Sequence, residues 1–485
     1  MFRVLIFITS GLLPVLAFAT IPSIITAFIY QNNDFGISLI VLLLLTLILS
    51  FILKKISTPD RQLSTIQGFG AVGLSWFFMS FFGTIPYILS GINLSYVDIF
   101  FETVSGLTTT GSSILVNIEA VDKSLLMWRS TTQWIGGMGV IVLTITVLPL
   151  LGSGGINLFK AESPGPSADR LTPRFQDTAR LLWIVYFSLT SLQTILLLIS
   201  GMSFFDSFNH ALTTLSTGGF STFNSSVAGL PVSTILIFNI FMFLAGTSFT
   251  LLLKSIRTGT ISEFYKSTEF KFYLSIVVST SIIFLPKTYQ LSSTISEAVN
   301  NAFFSALTII TTTGYTNLDY EMWNVDYRSF ILGLMFLGGM AGSTAGGIKT
   351  IRVIALLKSV RNEIRKIFYP NAIFKIRMSK SILPEKMIES VQTFFILFVA
   401  IFVLGTFSIS ISTNIANIPL SFEAILSSVA SAINNIGPGL KELGPTNNYF
   451  FLDPVSKAIL SLLMVIGRLE IFPIAILLYK KTWKP

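Results

Sequence analysis

The sequence contains no cysteine and only one histidine, His210, in 485 residues. Without cysteine the chain forms no disulfide and offers no thiolate for catalysis or metal binding, and a single histidine excludes a multi-histidine metal centre within the chain. Charged residues are also scarce, at 11%, whereas hydrophobic residues reach 52% and the mean hydropathy is +0.75. Soluble domains carry about 25% charged residues, so this composition indicates a polytopic membrane protein.

Ten charge-poor runs are candidates for spanning helices, which need about 20 residues each. The runs lie at 4–30, 37–53, 64–91, 130–152, 181–200, 230–253, 272–288, 329–352, 390–413 and 457–479. The first run follows Arg3 and could imitate a signal peptide. It continues without a charge as far as Asn33, which is longer than the apolar core of a signal peptide, so we expect a retained helix.

The loops between these runs differ in charge. When the N-terminus is assigned to the cytoplasm and the loops alternate, 25 of the 32 Lys and Arg residues fall in cytoplasmic loops, ten of them in 349–389. Positive residues accumulate on the cytoplasmic side of membrane proteins, so both termini are predicted to be cytoplasmic. The net charge of +9 then reflects topology, and we expect no nucleic-acid partner.

Four short motifs centred on glycine interrupt the apolar pattern. They read TTTGSS at 108–113, STGGFS at 216–221, TTTGYT at 311–316 and NNIGPG at 434–439. Each follows about three helical turns, too few to cross a bilayer, and each lies between an inbound and an outbound span. One Thr–Gly helix break could arise by chance, but four at equivalent positions indicate a repeat.

We therefore predict an all-α polytopic membrane protein with four parallel helix–pore-loop–helix repeats, preceded by two extra transmembrane helices. The predicted units are 1–61 for the two N-terminal helices and 62–160, 161–260, 261–366 and 367–485 for the four pore repeats. A half-helix that ends at each glycine turn directs its negative dipole end toward the bilayer centre, which favours a cation there.

The glycine turns are the candidate ion-binding site. Irregular backbone at membrane depth is tolerated where it lines water, and a ring of backbone carbonyls can replace the hydration shell of a monovalent cation. Glycine permits the positive φ angles that such a turn needs. The candidate residues are Thr109, Thr110, Gly111, Thr217, Gly218, Gly219, Thr313, Gly314, Asn435, Ile436 and Gly437.

The eighth run contains five glycines within the ten residues 338–347. So many glycines cannot form a stable straight helix, and the segment is predicted to be a gating loop beneath the turns, with close helix packing through small residues as the alternative. The candidate gate residues are Gly338, Gly339, Gly342, Ser343, Thr344, Gly346 and Gly347. A phosphate-binding loop is excluded because Gly347 and Lys349 are not adjacent.

Isolated charges inside or beside the spans are further candidates. Arg468 lies within the tenth run, and a fixed cation below a cation filter would limit flux; the alternative is a structural pair with Glu470 or with carbonyls. His210 is expected to make a satisfied polar contact rather than to act as a pH switch. Acidic residues at the outer mouth either attract cations or are solvated loop charges. These are Asp98, Glu102, Asp206, Asp319, Glu321, Asp326 and Glu423.

Together the four turns, the GGMAGSTAGGIKT segment and the IGRLEIF segment resemble the Trk/Ktr/HKT superfamily of potassium transporters, specifically its TrkH-type subunits. The resemblance implies four repeats about one central pore, a homodimer, the gate at Gly338–Gly347 and Arg468 near the ion path. It also implies a bacterial inner-membrane location and a cytosolic, nucleotide- or NAD-binding partner of the TrkA type.

Glycine in all four turns matches the potassium-selective pattern of that superfamily. Potassium is then the substrate, and no cofactor is expected on this chain. The expected potassium ligands are Thr110, Gly111, Gly219, Thr313, Gly314 and Gly437.

Other functions stay open as alternatives. One is a sodium-permeable or ion-coupled symporter of the same superfamily. A transporter with a midplane substrate site often has inverted repeats, whereas these repeats run parallel. An intramembrane enzyme is not expected because the chain lacks an H-E-x-x-H motif and a nucleophile–histidine pairing.

Overall fold

The computed structural model describes residues 2–56, 65–147, 175–379 and 381–479. Within these ranges the chain is almost entirely α-helical, and the strands form one short antiparallel hairpin of Arg377–Met378 and Ser381–Ile382. The predicted unit boundaries near 61 and 160 and the predicted C-terminal cytoplasmic tail lie outside the described residues. An all-α polytopic fold is confirmed.

The N-terminal unit packs against the first repeat. Its helices are α1 (Phe2–Ala19), α2 (Ile21–Ile29) and α3 (Asn33–Ile56). The predicted first span is present, with one residue, Thr20, between α1 and α2. Pro22 occupies the start of α2, where a missing N–H costs no hydrogen bond. Leu12 and Leu39 enter the same buried cluster as Trp76 of the first repeat.

Each repeat contains an inbound helix, a half-helix, a glycine turn and an outbound helix. Repeat one comprises α4 (Thr65–Gly83), α5 (Ile85–Leu89), α6 (Tyr96–Leu107) and α7 (Lys123–Val147). Repeat two comprises α8 (Phe175–Ile199), α9 (Phe204–Leu215), α10 (Val232–Ala245) and α11 (Phe249–Thr258), which is bent by 96° from α10, and is followed by α12 (Ser262–Lys266).

Repeats three and four have broken outbound segments. Repeat three comprises α13 (Thr268–Leu291), α14 (Ile295–Ile310), α15 (Val325–Leu334) and α16 (Thr350–Phe368), and a short 3₁₀ turn covers Tyr320–Met322. Repeat four comprises α17 (Glu385–Ile415), α18 (Phe422–Asn434), the 3₁₀ turn Lys441–Leu443, α19 (Pro454–Arg468) and α20 (Phe472–Leu477).

Ten runs were predicted to span the membrane, whereas fewer uninterrupted helices are long enough. Among the described residues, six helices can cross a membrane by length and composition, or seven if the bent pair α10–α11 counts as one. The predicted span at 130–152 runs beyond the described part of α7. The break predicted within the run at 329–352 is present, because α15 ends at Leu334 and α16 begins at Thr350. The prediction of a continuous span at 457–479 is wrong, because α19 ends at Arg468.

The four half-helices begin in the same way. Their N-caps are Ser95, Ser203, Thr294 and Ser421, and each side chain accepts a hydrogen bond from the backbone N–H three residues later. A hydroxyl at this position satisfies one of the free N–H groups that begin a helix. The caps fix where each half-helix begins, and the opposite, negatively polarised ends meet at the glycine turns.

Candidate functional site

The half-helices end in four turns of the same backbone conformation, which we number one to four: 109–111, 217–219, 312–314 and 435–437. The first residue of each turn has φ of 54° to 56°, and the last is a glycine with φ of 73° to 112°. The first residues are Thr109, Thr217, Thr312 and Asn435. Thr312 was missing from the predicted set, although aligning TTTG at 311–314 with TTTG at 108–111 would have identified it.

Each turn is closed by the same hydrogen bond to its own half-helix. The N–H of the middle residue donates to the carbonyl five residues earlier, at 2.8 to 3.0 Å, in all four turns. This is the pattern of a Schellman helix end, where glycine or asparagine normally takes the left-handed position. Three turns place threonine there instead, and a β-branched residue at positive φ is strained. Strain of this kind persists mainly at functional sites.

The four turns form a closed ring. A Cβ added to Gly111 would lie 2.2 Å from the carbonyl oxygen of Gly218, and one added to Gly219 would lie 1.9 Å from that of Thr313. A Cβ added to Gly314 would lie 1.9 Å from the carbonyl oxygen of Ile436, and one added to Gly437 would lie 2.8 Å from that of Thr110. Each glycine therefore abuts the middle carbonyl of the next turn, and no other residue type fits there.

Most carbonyls of the ring have no donor. From the described residues, no hydrogen bond reaches the middle carbonyl of turn one, three or four. The carbonyls of the first residues of the four turns also accept no hydrogen bond from the described residues. Buried carbonyls are nearly always paired, so the ring gathers acceptors that a cation or water can satisfy.

Side chains from other parts of the chain hold two of the turns, and they were absent from the predicted set. Gln133 on α7 donates to the carbonyl of Gly218 at 2.6 Å and accepts from the N–H of Phe220 at 3.1 Å. The carbonyl of Gly437 accepts from Ser112 at 2.7 Å and from Tyr449 at 3.0 Å. These contacts come from distant parts of the chain, so no local sequence signal identifies them.

Glycines of the outbound segments let them approach the half-helix ends. A Cβ on Gly136 would lie 1.9 Å from the carbonyl oxygen of Leu107, and one on Gly467 would lie 2.0 Å from that of Ile433. On Gly346 it would lie 2.2 Å from the carbonyl oxygen of Asn434. Close packing of these outbound segments against the half-helix ends is therefore one reason why these positions are glycine.

The segment 335–349, which we call the intramembrane loop, is not helical and lies against the half-helix ends. Leu337 and Ile348 form a parallel bridge that closes its base. The N–H of Gly346 donates to the Thr312 hydroxyl at 2.6 Å. The Thr344 hydroxyl donates to the carbonyl of Leu215, at the end of α9, at 2.8 Å. The loop thus contacts turn three directly and reaches the half-helix ends of repeats two and four.

The rest of the loop is held by neighbouring elements. The N–H of Met340 donates to the carbonyl of Gly246 at 2.9 Å. The carboxylate of Glu269, in the first turn of α13, accepts from the N–H of Ala341 at 2.7 Å and from the Thr350 hydroxyl at 2.8 Å. The carboxylate therefore joins the middle of the loop to the first residue of α16.

Arg468 is 7% exposed and contacts the loop rather than a carboxylate. Its guanidinium donates to the carbonyl of Thr344 at 2.8 Å and to the carbonyls of Gly136 and Gly137 at 2.7 and 3.1 Å. Pairing with Glu470 is wrong, because Glu470 instead pairs with Arg352 of α16. Of the two structural pairings considered for Arg468, the contacts are those with carbonyls.

Both ring nitrogens of His210 are hydrogen-bonded. Nδ1 contacts the carbonyl of Asp206 at 2.8 Å, and Nε2 contacts the hydroxyl of Ser221 at 3.0 Å. The ring stacks on Phe223 at a centroid distance of 5.5 Å. The imidazole therefore makes the satisfied polar contact that was expected for it.

Several acidic residues predicted at the outer mouth join repeats to one another. Glu102 is fully buried and pairs with Arg129 at 2.6 Å, and Arg129 also donates to the carbonyl of Ser221 in repeat two. Asp98 pairs with Lys457 of repeat four, so the interpretation of Asp98 and Glu102 as solvated loop charges is wrong.

Two more of these acids flank the boundary of repeats three and four. Glu423 of repeat four pairs with Arg328 of repeat three at 3.0 Å. Burial and the negative charge of Glu423 raise the pKa of Glu321 above its usual value.

Comparison with known proteins identifies the family. The family model TrkH, described as a cation transport protein, matches residues 34–484. The Trk system potassium uptake protein TrkH of Escherichia coli K12 is 34% identical over 88% of each chain. The Trk system potassium uptake protein TrkG of the same strain is 32% identical over 96% of this chain and 95% of its own.

A solved structure has the same architecture. The crystal structure of the potassium transporter TrkH from Vibrio parahaemolyticus matches with a TM-score of 0.87 and 29% identity, and the match covers 100% of both chains. These relatives are named as transporters rather than enzymes, and the described chain carries several apolar helices of spanning length. The chain therefore belongs to the TrkH family of cation transport proteins.

Proposed function

We propose that this chain is the pore-forming subunit of a potassium uptake system and that its four glycine turns are the selectivity filter. The observation that carries the proposal is the closed ring in which each glycine abuts the middle carbonyl of the next turn. Potassium is the ion named for the relatives in Escherichia coli and for the solved Vibrio structure, and the proposal extends it to this chain.

The physical basis is replacement of water by carbonyl oxygens. A cation that enters the ring loses hydration, and the carbonyls that have no donor take its place. Four half-helices add the negative ends of their dipoles, each equivalent to roughly half an elementary charge. No carboxylate is needed in the ring, and among the described residues no cluster of acidic or histidine side chains could hold a metal ion.

The intramembrane loop serves in this proposal as the gate. It lies against the inner ends of the half-helices, and its contacts with Leu215, Thr312 and Arg468 hold it across the route below the ring. Arg468 adds a fixed positive charge there, which disfavours a permeating cation. Inward flux through the open path would gain about 2.3 kcal/mol per charge for each 100 mV of membrane potential.

The remaining parts of the proposal concern assembly and location. We assign the chain to the bacterial inner membrane with both termini in the cytoplasm, as a homodimer regulated by a cytosolic TrkA-like subunit that binds nucleotide or NAD. The printed names of the relatives refer to a Trk system, which is consistent with more than one component. The basic segment 349–389, which includes α16, is the proposed cytoplasmic contact, and no cofactor is assigned to this chain.

Ion flux into liposomes tests the proposal. The purified chain should take up rubidium, a potassium analogue, much faster than sodium when an inside-negative potential is applied. Liposomes without protein provide the baseline. Equal rates for the two ions would favour the sodium-permeable alternative, and uptake that requires an imposed proton or sodium gradient would favour symport.

A further inference from the structure

The left-handed residues of the four turns share a backbone conformation but differ in what their side chains contact. Thr109 Oγ1 has no hydrogen-bond partner among the described residues. Thr217 donates to the carbonyl immediately before it at 2.6 Å, and the Asn435 amide donates at 3.0 Å to the side chain of Thr110 and at 2.9 Å to α19. Thr312 alone among these four is bonded to the intramembrane loop, through Gly346.

The bond between Thr312 and Gly346 is short and buried. The N–H of Gly346 lies 2.6 Å from Thr312 Oγ1, and the threonine is fully buried. Gly346 also lies against the end of α18, because a Cβ there would lie 2.2 Å from the carbonyl oxygen of Asn434. Withdrawing the loop therefore breaks this bond and leaves a hydroxyl and an N–H unpaired.

Thr312 is also part of the ring itself. Its carbonyl is among those without a donor, and the next carbonyl, that of Thr313, abuts Gly219 of turn two. A change in the position of Thr312 therefore moves a carbonyl that lies in the ring. One residue thus touches the loop through its side chain and shapes the ring through its backbone.

We propose that the Thr312 hydroxyl couples the intramembrane loop to the filter, so that the closed loop strengthens potassium binding in the ring and the bound ion helps to hold the loop closed. The inference rests on the proposed roles of the ring as filter and of the loop as gate. Coupling between two sites is reciprocal, so the same bond should influence both ion affinity and flux.

Paired substitutions isolate the bond. Thr312→Val removes the acceptor and keeps the β-branched shape, whereas Thr312→Ser keeps the acceptor. Thr109→Val is the matched control, because Thr109 has φ of 55°, the same as Thr312, and its hydroxyl has no partner in the described chain. If a valine variant does not fold, Thr312→Ala and Thr109→Ala form the second matched pair.

Two measurements on the purified full-length chain report on the two sides of the coupling. Potassium affinity is read from the rise of the unfolding temperature in detergent as potassium chloride replaces N-methylglucamine chloride at constant ionic strength. Flux is read as rubidium uptake into liposomes at saturating rubidium. Neither readout needs a regulatory partner.

We expect Thr312→Val to weaken apparent potassium affinity by about fivefold more than Thr109→Val does, which corresponds to one net hydrogen bond. The same variant should raise the rate of rubidium uptake, and Thr312→Ser, which keeps the acceptor, should shift both readouts less than Thr312→Val does. Equal effects of the two valine variants on affinity, or an unchanged flux in Thr312→Val, would overturn the coupling while leaving the filter assignment intact. If potassium does not stabilise the unmodified protein at all, the proposed filter itself fails.

Discussion

Replacing Gly314 with serine should reduce the discrimination between potassium and sodium at least tenfold, with growth at low potassium lost or strongly impaired. Gly314 has φ of +80°, and a Cβ there would lie 1.9 Å from the carbonyl oxygen of Ile436. The left-handed conformation alone costs a residue with a side chain about 1–2 kcal/mol. The larger effect is the collision of the new Cβ with the backbone of turn four. This collision must displace turn four and distort the ring of carbonyls.

Growth rescue of a bacterium deficient in potassium uptake, together with rubidium and sodium flux in liposomes, measures this effect. Gly229→Ser is the matched control, because Gly229 has φ of +81° but no atom lies within 4 Å of the position of its Cβ. The control shares the conformational cost without the collision and should keep its selectivity. Selective transport by Gly314→Ser that equals the unmodified protein would refute the assignment of this turn to the filter.

Arg468→Gln should raise the rate of rubidium uptake by about tenfold. The guanidinium donates hydrogen bonds to the carbonyls of Thr344, Gly136 and Gly137, so its removal releases the intramembrane loop from repeats one and four. It also removes a positive charge below the ring. At a separation of roughly 10 Å and an effective dielectric constant of about 20, such a charge repels a monovalent cation by about 1.7 kcal/mol.

Arg468→Lys separates the two contributions. Lysine keeps the charge but cannot reproduce the planar fork that reaches three carbonyls, so its rate should fall between those of the unmodified protein and Arg468→Gln. The amount of folded protein in detergent must be compared first, because three buried carbonyls each lose the hydrogen bond from Arg468. A folded Arg468→Gln protein with a slower or unchanged rate would contradict the role of Arg468 as a barrier.

The repeat architecture could be predicted because its signals are local. Apolar runs, the asymmetry of Lys and Arg between loops and four glycine motifs are visible along the chain without any knowledge of contacts. The non-helical character of 335–349 followed from its glycines, which favour no single helix geometry. Thr312 could also have been predicted, because turns one and three share the sequence TTTG.

The contacts that complete the ring could not be predicted in the same way. The contact of Gly437 with Thr110 and that of Gln133 with Gly218 join residues far apart in the sequence, and their partners depend on how the repeats pack. The pairing of Glu470 with Arg352 rather than with Arg468 has the same cause. Glu470 and Ile471 take φ of 59° and 70°, so the chain turns away from Arg468 at two residues that are not glycine.

The most direct test of the central claim is the location of a bound ion in the ring. Crystals grown with thallium or rubidium in place of potassium should show anomalous density on the ring axis, within contact distance of the carbonyls of Thr110, Gly218, Thr313 and Ile436. Added potassium should displace this density, whereas the same concentration of added sodium should leave it in place. An ordered ring that holds no ion under these conditions, with transport intact, would contradict the account.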